Sequence, residues 1–81
     1  MTPMIIEIFG IERSKCKAMM ECVGETLKDL DTEAQLVYIS EPIAIQKRGV
    51  FITPALAING DIKISGRVPS RDEITTLLQM D

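Results

Sequence analysis

Eighty-one residues with 46% hydrophobic and 26% charged content describe one small globular domain, neither disordered nor fibrous. A net charge of −3, a pI near 4.9 and no basic run longer than Lys47-Arg48 argue against nucleic acid and anionic membrane surfaces as partners. No apolar run approaches the roughly 20 residues that span a bilayer, and Glu7 interrupts the apolar start that a signal peptide would need.

A cytoplasmic setting is therefore expected. Two cysteines are too few for a disulfide framework, and a reducing compartment would leave them as thiols. With no histidine, a metal site would rest on sulfur and carboxylate alone, so neither metal nor other cofactor is expected.

Met4 to Phe9 is apolar and isoleucine-rich apart from Glu7, which suits a buried parallel strand. Gly10 ends it. From about Ser14 to Leu30 apolar residues recur at 16, 19, 20, 23, 27 and 30, the stripe of a helix packed on a core. Cys16 lies in that stripe at its N-terminal end, and Cys22 lies at its flank.

Ala34 to Ile39 reads as a second strand, which completes a right-handed βαβ unit. Ser40 or Glu41 can cap a short helix with Pro42 in its first turn and Gly49 as its stop. Val50-Phe51-Ile52 leads to Thr53-Pro54. Ala55–Ile58 and Asp61–Ser65 then flank Asn59-Gly60, a strong hairpin signal because both turn residues must adopt positive φ. Ser70 and Glu73 fit a capping box before a final helix with Ile74, Leu77 and Leu78 on its apolar face.

The order is βαβαββα: an α/β domain over residues 1–81, with a mixed four-stranded sheet and helices on both faces. That is the layout of a thioredoxin or glutaredoxin core. The strand ending in Phe9-Gly10, the Thr53-Pro54-Ala55-Leu56 segment, Asn59-Gly60 and the Ile64-to-Ser70 run carry a more specific likeness. The chain resembles the small archaeal and bacterial thioredoxin-like proteins called redox-active disulfide protein 2. Their turn reads Gly-x-Gly-Cys-x-x-Cys; here it reads Gly10-Ile11-Glu12-Arg13-Ser14-Lys15-Cys16. The second family cysteine falls on Cys16 and the first on Arg13.

The resemblance implies thiol–disulfide exchange and cell redox homeostasis, with protein or small-molecule thiols and disulfides as partners of a monomeric chain. In a C-x-x-C site the first thiol forms the mixed disulfide and the second resolves it. With Arg13 in the first position, Cys16 has no internal resolving partner. Cys22 cannot supply one, because six helical residues separate the two by about 9 Å of rise and some 240° of rotation, against about 7 Å between bridged Cα atoms.

Two readings of Cys16 stand. It is a nucleophile favoured by the helix dipole and by Arg13, Lys15 and Lys17, or it is a half-buried residue of the helix's core face. Cys22 reads as packing. Arg13 is a solvated loop arginine or an anion contact, helped by free amides at the helix N-terminus, and Lys15 is expected with it at the binding site. The resemblance further implies that Pro54 is cis and that Thr53 offers a backbone edge to substrate; otherwise Pro54 is an ordinary turn proline. Arg67 reads as a solvated loop charge. Two functional readings follow, a redox protein with a degenerate single-cysteine site and altered activity, or a non-catalytic protein- or peptide-binding module.

Overall fold

In a computed structural model the described residues are 4–80. They form β1 (Met4–Phe9), α1 (Arg13–Asp29), β2 (Ala34–Ile39), α2 (Pro42–Lys47), β3 (Ala55–Ile58), β4 (Asp61–Ser65) and α3 (Arg71–Met80). The βαβαββα order expected from the sequence is the order found. Helix α1 starts one residue earlier than its apolar periodicity indicates and closes at Asp29, with Leu30 as its C-cap. At the start of α2, Glu41 occupies the cap position but makes no capping hydrogen bond; Pro42, pre-set for the first turn, begins the helix instead.

The strands form a mixed sheet in the order β2-β1-β3-β4. The pair β1/β2 is parallel, with Ile8 opposite Tyr38 and Phe9 opposite Ile39. Both remaining pairs are antiparallel, and a register irregularity sits between Leu56 and Ala57 in the β3/β4 hairpin. At that hairpin's turn Asn59 and Gly60 take φ of 51° and 89°. The Asn59 side chain accepts a hydrogen bond from the Ile5 amide at 2.9 Å, which fastens the turn to the start of β1.

Alternation along the strands separates two cores. Ile6 and Ile8 of β1 and Leu56 and Ile58 of β3 pack with Met19, Val23 and Leu27 of α1 and Ile74 and Leu78 of α3. On the opposite face Phe9, Ala55 and Ala57 pack with Ile45 and Val50 around α2. The first face is filled by large side chains and two long helices. The second is thin, with two alanines under a helix of six residues.

Glu7 shares a side of β1 with Phe9, so the one polar residue of the strand points into the thin core, where it is buried. Its carboxylate accepts both guanidinium nitrogens of Arg48, Nη2 at 2.6 Å from Oε1, while the Arg48 guanidinium lies 5.4 Å from the Phe9 ring centroid. These charge-assisted bonds hold the Arg48 guanidinium above its ordinary pKa.

Helix α3 begins as its sequence indicates. The Glu73 amide donates to Ser70 Oγ at 3.2 Å and the Ser70 amide donates to Glu73 Oε1 at 3.1 Å. Arg67 is exposed in its loop, as expected, but it is not free. It clamps the same Glu73 carboxylate with bonds of 2.7 and 2.6 Å, because the loop turns back at Gly66, whose φ of 84° suits glycine.

Candidate functional site

The site grows from the turn between β1 and α1. Parallel pairing brings the C-terminal ends of β1 and β2 level, and β3 runs out from the far side of β1, so Gly10, Tyr38 and Pro54 meet at one edge. The Gly10 amide donates to the Ile39 carbonyl at 3.1 Å, and its carbonyl accepts from the Tyr38 hydroxyl at 3.1 Å. The turn is thereby pinned to β2 at both backbone groups.

Cys16 is the fourth residue of α1 and is only 1% exposed. Its sulfur lies so close over Gly10 that a Cβ built there would stand 2.3 Å from Sγ. That same position is 3.7 Å from Pro54 Cα, so Gly10 lies next to both the thiol and Pro54. Glycine is needed here for close approach alone. Tyr38 completes the surround. Its hydroxyl is raised above the usual phenol pKa by loss of solvent first, then by hydrogen bonding and charge interaction with Cys16, with the nearby Arg13 opposing.

The other residues expected at the site are scattered around this centre. Arg13 is exposed and opens α1; with Lys17, Met20, Glu21, Leu36 and Tyr38 it lines a groove of about 620 Å³ between α1 and β2. Lys15 points elsewhere and pairs with Glu12 at 3.3 Å on the surface, so it does not join Arg13. The Thr53–Pro54 peptide bond is cis. Thr53 is exposed and Pro54 buried, and the Pro54 carbonyl accepts the Gly66 amide at 2.8 Å. Next to Thr53, Phe51 is 84% exposed, and Ile52 and Ile11 are exposed as well.

Cys22 is partly buried against the larger core, and both cysteines are free thiols on one helix. Among the described residues no cluster of three or more His, Cys, Asp or Glu side chains could hold a metal ion, and no helix is long and apolar enough to cross a membrane.

Gly10 and Tyr38 are the site residues that the sequence reading passed over. Tyr38 carried a signal, since parallel strands end together and the residue before the last of β2 must stand beside the turn that follows β1. Gly10 was read as the end of β1 and the first residue of the turn motif, without the close approach of the Cys16 sulfur.

Chemically, the arrangement is a buried sulfur packed on glycine and beside a phenol, with a cis-proline at the same glycine and a cation-edged groove between α1 and β2. The chain matches the family model described as thioredoxin domain over residues 4–79. It is 35% identical over 75 residues to a thioredoxin of Methanothermobacter thermautotrophicus, an alignment covering 93% of this chain and 97% of that protein. To a thioredoxin of Methanocaldococcus jannaschii it is 33% identical over 70 residues, covering 86% of this chain and 80% of that one. Fold and sequence relatives agree, and the chain belongs to the thioredoxin domain family.

Proposed function

We propose that this protein is a thioredoxin-like thiol–disulfide redox protein in which Cys16 alone carries the chemistry, Arg13 standing where the resembling family has its first cysteine. The observation behind this reading is the position of the Cys16 sulfur, packed on Gly10 and beside Pro54 and Tyr38, while Cys22 lies further along the same helix. Cys16 as thiolate attacks one sulfur of a partner disulfide. The S–S bond breaks, a Cys16–partner disulfide forms, and the departing sulfur leaves with the bonding electron pair and takes up the proton that Cys16 gave up. An external thiol then attacks the Cys16 sulfur of the mixed disulfide and releases the partner's remaining sulfur as a thiol. A second external thiol attacks the resulting adduct, restoring Cys16 and leaving with the first as their own disulfide, so that two external thiols supply the two electrons.

Burial limits the rate of this cycle. At 1% exposure the thiol meets a disulfide only when the turn moves, so activity is weak compared with a two-cysteine site. Arg13 faces incoming anionic groups such as the carboxylates of a small thiol, and Thr53 offers backbone to an extended partner beside the sulfur.

A second reading, a binding module without turnover, is supported by Phe51 and Ile52, exposed apolar residues directly before Thr53 in the chain. The deciding experiment is the reaction of Cys16 with a small disulfide from about pH 5 to 9 in a Cys22→Ala background. Formation of a mixed disulfide on the folded protein, lost in Cys16→Ser, supports the redox reading. A thiol that reacts only at the rate of global unfolding removes it and leaves the binding module.

A further inference from the structure

The two edges of the sheet are built differently. Strand β4 carries Asp61 and Lys63 and is paired through an irregular register, devices that discourage a further strand from adding. Strand β2, Ala34–Ile39, has no charge, no proline and an unbroken six-residue register with β1, and its outer side has no strand partner among the described residues. By the same physics it is an open template for pairing.

Above this edge runs the lateral face of α1. Positions 13, 17, 20, 21 and 24 fall within about 100° of one another at 100° per residue, and the first four line the groove against Leu36 and Tyr38. Arg13, Lys17 and Glu21 make no ion pair among the described residues. Gly24 continues the face, and a side chain there would meet nothing within 4 Å. A mid-helix glycine costs about 1 kcal/mol against alanine, and no contact within the chain explains it.

We infer that the β2 edge and the α1 groove together form the interface of a two-fold dimer, with β2 of one copy pairing antiparallel to β2 of the other. The geometry closes. Helix α1 packs on both β1 and β2. A two-fold axis normal to the sheet keeps both α1 helices on the same face, separated by two strand spacings. That is about 9.5 Å, within the roughly 8–10 Å of packed helices. The two helices then run antiparallel, and an axis lying between the two β2 strands, level with their midpoints, sets Lys17 of each copy opposite Glu21 of its partner. Charge selects this occupant: the groove has cations at one end and a carboxylate at the other, so it complements its own inverted copy, whereas a uniformly acidic segment would meet Glu21. The arrangement departs from the monomer expected of the sequence and leaves the Thr53–Pro54 flank of the site open.

Sedimentation equilibrium of the full chain under reducing conditions tests this. The expected result is a reversible dimer of twice 9.0 kDa. Lys17→Glu and Glu21→Lys each weaken it about tenfold or more by opposing like charges, and the double swap restores it. Both residues are exposed, so the variants keep the fold, and circular dichroism checks this. A chain that stays monomeric at millimolar concentration overturns the inference; if that monomer captures an added acidic strand peptide, the edge serves another partner. A dimer indifferent to the single swaps, or not rescued by the double one, overturns it equally.

Discussion

Gly10→Ala isolates the contact on which the site is built. Gly10 does not share the positive φ of Gly49, Gly60 and Gly66, so alanine meets no backbone objection and the perturbation is the methyl group alone. That methyl would stand 2.3 Å from Cys16 Sγ, about 1.1 Å short of the 3.4 Å at which ordinary contact begins. The cost depends on how far the Cys16 sulfur can shift, with Tyr38 beside it. Overpacking of this kind costs about 1–3 kcal/mol, and the stiffer unfolded chain of the alanine variant returns about 0.5 kcal/mol.

The net expectation is a loss of about 1.5 kcal/mol, or roughly 6–12 °C in Tm for a chain of this size. In a Cys16→Ala background the sulfur is gone, and the same substitution should be neutral or stabilising by about 0.5 kcal/mol. Urea denaturation of the four proteins measures both effects and their coupling. If Gly10→Ala is as costly without the sulfur as with it, the Gly10–Cys16 contact is not what fixes the turn.

Arg48→Ala leaves the Glu7 carboxylate, 12% exposed, without its partner in the thin core. Breaking a buried pair costs about 3–5 kcal/mol, and because Arg48 is 40% exposed, solvent screening reduces the expectation to about 2 kcal/mol. Chemical denaturation checks it, and a loss below about 0.5 kcal/mol would show the pair to be ordinary surface charge. Glu73 is lowered from 4.5 to about 2 by Arg67 first and the Ser70 amide second. A depressed carboxylate contributes stability that is present above its unfolded pKa and lost as pH falls, here between about 4.5 and 2. NMR titration should find Glu73 low in the native protein and nearer 4.5 in Arg67→Ala; an unchanged titration would discount the Arg67 clamp.

Local signals carried most of the fold. Asn59-Gly60 could form little but a tight hairpin turn, Ser70 and Glu73 sit at capping distance, and the α1 stripe named Cys16, Met19, Val23 and Leu27 as core. Contacts between distant residues were not legible. Glu7 finds Arg48 41 positions away, and nothing near either residue announces it. Tyr38 and Gly10 are 28 apart and meet only because parallel strands end together. At the site itself, sequence spacing located Cys16 but could not say that its sulfur is sealed. Grouping Arg13 with Lys15 followed chain proximity, whereas the helix turns them to different sides. The pairing of Arg67 with Glu73 was not legible because it is defined by the return of a loop, not by periodicity.

The unequal packing of the sheet's two faces also sets the order in which the molecule opens. Segments with few apolar contacts exchange their amide hydrogens through local openings long before the global unfolding that exposes the rest. The α2 face, with Ala55 and Ala57 beneath six helical residues, is such a segment, whereas the α1/α3 face holds Ile6, Ile8, Leu56 and Ile58 beneath two long helices. Exposed Phe51, Ile52 and Thr53 extend from the weaker side, directly before Pro54. One wall around the sulfur therefore belongs to the part of the protein that breathes most readily, and the other, Tyr38 with α1, to the larger core. Amide exchange should accordingly be faster at Phe51, Ile52 and Thr53 than in the helix that carries Cys16.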